Sequence, residues 1–211
     1  MTDIVQEIVK RVGFKLIRLQ SGDSFKVPVS LSHLYPLRAK DAIDPAAYQL
    51  QLGAHESRHA MEQAVRMLEV RDRSTKEIEN KLLSVGYSQQ SAQSVCQKLT
   101  LAGYLDDRRY ARSALDRLGK KFGAIRQRRE LQMKGISPDL IAELLEERDP
   151  DTQLENAVRL AQKALRGKAG EPNALYRRMY GTLARRGYPP DLVRKALEIV
   201  FHQEPEGQSD A

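Results

Sequence analysis

Two histidines one helical turn apart, with a glutamate beside the first, are the residues of this chain best suited by type and spacing to chemistry. His55-Glu56-Ser57-Arg58-His59 follows the H-E-x-x-H pattern, in which both imidazoles bind zinc and the carboxylate activates water. Their neighbours weaken that reading. Arg58 sets a cation beside a would-be dication, and position 65, where an extended motif needs a third histidine, holds Val65. Glu77 or Glu79 as a third ligand would come from the next helix, in a unit whose pattern has its own explanation. His33 and His202 lie far off without motif context. The plainer reading of His55–His59 is an exposed polar helix start, with zinc peptidase chemistry a remote alternative.

Other reactive groups are sparse. Cys96 is the sole cysteine, so there is no disulfide framework or cysteine-based metal site, and its place in an apolar stripe reads as a small buried hydrophobe. Asp106-Asp107 is a poor metal pair because adjacent residues on a helix point apart, and helix capping suits them better. No nucleophile elbow, Walker loop or dinucleotide fingerprint is present. Neither catalysis nor a cofactor or metal is expected.

Charge is the stronger signal. The 211-residue chain carries a formal net charge of +7, unevenly placed. Arg108, Arg109, Arg112, Arg117, Lys120, Lys121, Arg126, Arg128, Arg129 and Lys134 crowd its middle. Arg159, Lys163, Arg166, Lys168, Arg177, Arg178, Arg185, Arg186, Arg194 and Lys195 crowd its last part. Glu143, Glu146, Glu147, Asp149, Asp151 and Glu155 form an acidic divider between them. Such stretches favour an anionic partner, nucleic acid or an acidic protein surface, although any one cluster can also be a solvated helix face.

The elements that must carry these cations are announced by a phrase repeated three times. Leu82-Leu83-Ser84-Val85-Gly86-Tyr87, Leu131-Gln132-Met133-Lys134-Gly135-Ile136 and Leu183-Ala184-Arg185-Arg186-Gly187-Tyr188 each end a helix at a glycine that tolerates the left-handed conformation. The apolar residue after each glycine folds back on the leucine, as in a Schellman motif. A new start follows each time, at Ser88, Ser137-Pro138 and Pro189-Pro190. Behind the starts run the stripes Ala92, Val95, Cys96, Leu99; Ile141, Leu144, Leu145, Arg148; and Val193, Ala196, Leu197, Val200, of which Arg148 alone is not apolar.

Upstream of each phrase lies a further helix. One carries Ala60, Ala64, Met67 and Leu68, and Ser74-Thr75-Lys76-Glu77 is a capping box for the helix that ends at Gly86. Another carries Tyr110, Ala114 and Leu118 behind Asp106 or Asp107, and a third carries Leu154, Val158, Ala161 and Leu165 behind Asp151. The chain therefore reads as mostly α, three tandem three-helix repeats over residues 54–104, 105–148 and 149–202.

Residues 1–53 form a small β-containing extension. Phe14–Leu19 and Ser24–Val29 flank Ser21-Gly22-Asp23 as a β-hairpin, and the β-branched run Ile4–Val12 favours a third strand over a helix. Short helical turns are expected around Ser32–Leu37 and Pro45–Leu50. Residues 203–211 are too polar to pack and are expected to be disordered. With no signal-peptide pattern near Met1 and no membrane-spanning segment, a cytoplasmic protein is expected.

The strings together resemble the RecX family of regulatory proteins, bacterial modulators of the recombinase RecA. They are Arg71-Asp72-Arg73-Ser74, Glu77-Ile78, Lys81-Leu82, Gly86, then Gly103-Tyr104-Leu105-Asp106-Asp107-Arg108-Arg109-Tyr110-Ala111. Gly123, Arg126, Glu130-Leu131, Lys134-Gly135-Ile136, Leu183, Arg186-Gly187-Tyr188, Val193 and Ala196-Leu197 follow in order, so the resemblance spans residues 57–200. Two departures stand out: Gln127 where an aliphatic residue is usual, and Tyr188 where phenylalanine is common.

The resemblance implies a non-enzymatic, cofactor-free regulator, elongated and curved, lying in the groove of the RecA filament on single-stranded DNA. It implies inhibition of ATP hydrolysis, strand exchange and co-protease activity. A monomer is expected, and the separated basic clusters suit a weak non-specific contact with DNA phosphates as an adjunct. On this reading Arg108, Arg109, Arg112, Arg126, Arg128 and Arg129 form the main contact surface, supported by Lys134, Arg177, Arg178, Arg185 and Arg186. A direct DNA-binding helical module is the competing reading. Its second helices offer Gln89, Gln90 and Gln93 but also Asp139 and Glu143, which suits phosphate contact better than base reading.

Overall fold

A computed structural model describes residues 1–202; the tail expected at residues 203–211 lies outside them. The chain divides into two compact units, Met1–Asp107 and Arg108–Ala211. Nine helices and four strands lie among the described residues.

The first unit opens with β1 (Asp3–Arg11), β2 (Phe14–Leu19), β3 (Ser24–Pro28) and β4 (Ala42–Ile43). They form an antiparallel sheet in the order β3-β2-β1-β4. Ile4–Val12 is thus a strand, as its β-branching favours, and the element has four strands where a hairpin or three strands are expected from sequence. The fourth contributes only two residues, recruited by pairing with Asp3 and Ile4 rather than by any pattern of its own.

Three helices follow, α1 (Pro45–Val70), α2 (Thr75–Ser84) and α3 (Gln89–Leu101). The turn expected at Pro45–Leu50 is the beginning of α1, whose N-cap Asp44 accepts from the N–H groups of Ala46 and Ala47. Val5, Ile17, Leu19 and Val27 of the sheet share one core with Ala60, Ala64, Ile78, Leu82, Val95 and Leu99 of the helices. Ser74 and Glu77 form the capping box of α2, and the Asp107 carboxylate adds a third bond, accepting from the Thr75 N–H at 2.8 Å. Asp107, the first residue of the helix that follows α3, thus finishes the start of a different helix.

Apart from Asp107, its first residue, α4 (Asp107–Gly119) lies in the second unit with α5 (Ala124–Met133) and α6 (Pro138–Glu146), then α7 (Pro150–Leu165), α8 (Pro172–Arg185) and α9 (Pro190–His202). Tyr110, Ala111, Ala114, Leu115, Leu131, Ile141 and Leu144 make one core, and Ala157, Ala161, Met179, Leu183, Val193, Ala196 and Leu197 another. The cap of α7 is Asp149 rather than Asp151, because Pro150 occupies the first helical position and shifts the start upstream.

Every copy of the repeated phrase closes as read. The N–H groups of Tyr87, Ile136 and Tyr188 donate to the carbonyls of Leu82, Leu131 and Leu183 at 3.1–3.2 Å. A fourth copy of the same closure ends α3, where Tyr104 N–H donates to Leu99 O at 2.9 Å across Gly103.

One of these ends also joins two repeats. In the second unit, Gly123 N–H donates to Arg186 O at 3.0 Å and Ile125 N–H to Gly187 O at 3.1 Å. The unpaired N–H groups at the start of α5 thereby meet the unpaired carbonyls at the end of α8, a mutual satisfaction of two helix termini. A Cβ on Gly187, whose φ is +81°, would lie 2.6 Å from the Arg126 nitrogen, so neither backbone could approach with a side chain in place.

Candidate partner-binding surface

The ten arginines and one lysine expected to meet a partner all lie in the second unit, and their surroundings divide them. On α4, Arg108 pairs with Glu143 at 2.8 Å and Glu147 at 2.5 Å, and Arg112 pairs with Glu147 at 2.8 Å. Residues one helical turn apart on α4 meet acids four apart on and just after α6. The Glu143 pair holds the Arg108 guanidinium above its ordinary value and the Glu143 carboxyl below its own. Part of the acidic divider is therefore folded onto the first basic cluster. Arg109 is exposed on the same helix.

On α5, Arg126 lies 4.0 Å from the centroid of the Phe122 ring and 3.6 Å from Glu130. Arg128 and Arg129 are exposed and form no ion pair among the described residues. Lys134 is half-buried at the C-cap of α5. On α8, Arg177, Arg178 and Arg185 are exposed, again without an acidic partner among the described residues. Arg186 is different: its guanidinium donates to Lys121 O at 3.1 Å and its carbonyl accepts from Gly123, which makes it part of the repeat junction.

The H-E-x-x-H residues have other employment in the first unit. They sit well inside α1, not at its start. Glu56 accepts from both the N–H and the hydroxyl of Ser88, the N-cap of α3, so its carboxylate fastens α1 to the beginning of α3. His55 Nε2 lies 3.4 Å from the Tyr35 hydroxyl, and His59 Nδ1 lies 3.7 Å from Glu62. Among the described residues no group of three or more histidine, cysteine, aspartate or glutamate side chains is arranged to hold a metal ion. Cys96 is buried, and burial pushes its thiol up to about 11.

Sequence reading passed over a further cationic site in the second unit. A cleft between the end of α4 and α7 is lined by Asp116, Gly119, Lys120, Arg148, Thr152, Asn156, Arg159, Leu160 and Lys163. Its helical signal was available, since Thr152, Asn156, Arg159 and Lys163 recur every three or four residues on α7. What could not be read was Lys120 arriving opposite them from another repeat. Among the described residues no helix is long and apolar enough to cross a membrane.

Comparison with known proteins agrees with this architecture. Family models described as the first, second and third three-helix domains of RecX match residues 60–99, 106–145 and 151–197. A regulatory protein RecX of Trichlorobacter lovleyi is 35% identical over 141 residues, covering 64% of this chain and 91% of that one. Another, of Clostridium botulinum, is 25% identical over 184 residues, covering 86% and 87%. A crystal structure of RecX from Lactobacillus salivarius shares the fold at a TM-score of 0.65 and 22% identity, covering 71% of this chain and 99% of that one. A second RecX structure covers 95% of this chain and 100% of that one, at a TM-score of 0.61 and 21% identity.

Proposed function

The chain belongs to the RecX family of regulatory proteins, and from that premise we propose that it binds the RecA filament on single-stranded DNA as a monomer. Bound there, it inhibits ATP hydrolysis, strand exchange and co-protease activity, and so restrains DNA repair and the SOS response. The observation that carries this reading is the set of unspent guanidinium groups on α5 and α8, Arg128, Arg129, Arg177, Arg178 and Arg185.

Those groups hang from helices whose opposite faces are held in packed cores, so they are presented on firm supports. Arginine suits such a surface because its planar fork meets carboxylate or phosphate with two parallel hydrogen bonds. Arg108, Arg112 and Arg126 already have acidic partners, and Arg186 serves the repeat junction; they support the surface more than they form it.

Titrating the protein at substoichiometric ratios into RecA turning over ATP on single-stranded DNA is the direct test. Inhibition is expected, and no effect at any ratio overturns the proposal. Reversing charge with Arg128→Glu and Arg129→Glu is expected to abolish inhibition while leaving helical circular dichroism intact. Unchanged inhibition would remove α5 from the contact surface.

A further inference from the structure

The cleft between α4 and α7 brings together cations that the sequence keeps on opposite sides of the acidic divider. Its one acid, Asp116, accepts from Arg148 at 3.2 Å, which leaves Lys120, Arg159 and Lys163 without an ion pair among the described residues. We propose that this cleft is a seat for the sugar-phosphate backbone of single-stranded nucleic acid.

Its shape selects the kind of anion. Thr152, Asn156, Arg159 and Lys163 lie along one face of α7, a span of about 17 Å at the helical rise. A single ion would need donors converging on one point. Donors spread along a line fit a chain-like anion that offers charge at regular intervals, as a phosphodiester backbone does.

The chemistry of the lining agrees. Arg159 has the fork geometry for two phosphoryl oxygens, the two lysines act as point charges, and the Thr152 hydroxyl and Asn156 amide add neutral donors. Leu160 supplies an apolar patch between them against which a sugar or base can lie. At about 690 Å³ the cleft falls in the range of about 300–1,000 Å³ typical of sites that hold organic ligands, larger than one ion requires. Arg159 donates to the Asn156 side-chain oxygen, which takes that amide out of two-point reading of a base edge. Recognition is therefore of backbone and not of sequence.

The seat deepens the filament-binding proposal and rests on it for its biological setting, since a regulator docked on a coated strand has that strand within reach. Binding of a strand by the isolated protein is a separate observable. The full-length protein alone is titrated onto a fluorescent single-stranded oligonucleotide, thymidine-only or mixed in sequence, over a series of salt concentrations.

The double variant Arg159→Ala, Lys163→Ala is expected to bind both strands several-fold more weakly. Its log affinity against log salt should flatten by about 1.4, or about 0.7 for each phosphate no longer neutralised. Lys120→Glu, on the other wall, should weaken binding in the same direction, and keeps the proposal testable if the α7 variant fails to fold. Unchanged affinity and slope in folded variants overturn the seat, and so does poly-glutamate displacing the strand as effectively as a competing oligonucleotide of equal charge. The same variants in the ATPase assay keep the two proposals apart. Strand binding weakened several-fold with inhibition retained supports the seat, whereas weakened inhibition with strand binding unchanged overturns it.

Discussion

The guanidinium of Arg148 donates to Oε1 of Gln127 at 3.2 Å, so the two residues that break the apolar pattern of the middle repeat do so together. Arg148 also reaches Leu115 O and Asp116, and Gln127 Nε2 donates to Phe122 O. Gly119 leaves room for the guanidinium: a Cβ there would lie 3.1 Å from both of its terminal nitrogens. A buried amide at the usual aliphatic position is thus the counterpart of an arginine at a usual apolar one.

That relationship predicts strong coupling between the pair. Gln127→Leu alone leaves a partly buried guanidinium short of an acceptor and is expected to cost about 1–3 kcal/mol. Arg148→Leu alone strands the Gln127 oxygen at a similar cost. Replacing both with leucine should recover much of the loss, giving a coupling energy of about 0.5–3 kcal/mol in a denaturant double-mutant cycle. Simple additivity of the two losses would show that the residues act independently.

The other departure has the opposite sign. Tyr188 is buried beside its helix-ending glycine, and its hydroxyl has no hydrogen-bond partner among the described residues. Burial raises the phenol above its ordinary value, and no bond among the described residues compensates. Because an unsatisfied buried hydroxyl costs about 1–3 kcal/mol, Tyr188→Phe is expected to stabilise the fold, by about 1 kcal/mol in urea unfolding. A destabilised phenylalanine variant would mean that the hydroxyl has a partner after all.

Helix ends were legible in the sequence because their signals are local: a leucine, a glycine and an apolar residue within six positions decide a Schellman closure wherever it occurs. The long α1 was less legible. Asp44-Pro45 is a sound cap and first turn, yet Gly53 and the exposed Leu50 interrupt the apolar spacing of Tyr48 and Leu52. Strand β4 was invisible, since two residues carry no period and only the edge of β1 makes them a strand. For the surface, the sequence showed where cations crowd but not which are spent. Arg108 and Arg112 are neutralised by acids more than thirty positions away, a fact of packing that no local pattern contains.

The repeat junction should be intolerant of the smallest side chain. Gly187→Ala forces a Cβ into the Arg126 backbone at a residue with φ +81°, and Gly123→Ala forces one against the Gly187–Tyr188 backbone. Left-handed strain alone costs about 1–2 kcal/mol, and the backbone clash adds to it. Each variant is expected to lower Tm by several degrees, with amide exchange rising first at the start of α5 and the end of α8. Wild-type stability in either would show that the two helix ends can separate freely.

Cys96 gives a pH signature. The unfolded thiol loses its proton near 9.0, while burial moves the folded one up to about 11. The folded state therefore favours the protonated form, and this contribution to stability is intact below pH 9 and lost as pH rises from there towards 11. Alkylation of Cys96 at pH 8 should track global unfolding in urea, and Cys96→Ala should flatten the alkaline loss of stability. Rapid alkylation of the native protein would contradict the buried placement.

The ion pairs of α4 can be turned into a test of what the surface is for. Glu143→Gln with Glu147→Gln releases Arg108 and Arg112 from their acids without removing a cation. Exposed pairs of this kind add little stability, so the fold should survive the change. If the cationic face of the second unit meets an anionic partner, the freed guanidinium groups should tighten RecA-filament inhibition and make it more salt-sensitive. Acid should mimic the substitution: Glu143 stays ionised below its ordinary value of 4.5 because Arg108 donates to it, so the pair holds above that pH and opens only as pH falls through the lowered value. A carboxyl carbon shift of Glu143 followed by NMR against pH would report that opening. Weaker inhibition by the glutamine variant would instead assign the Arg–Glu ladder itself, in its closed form, to the contact.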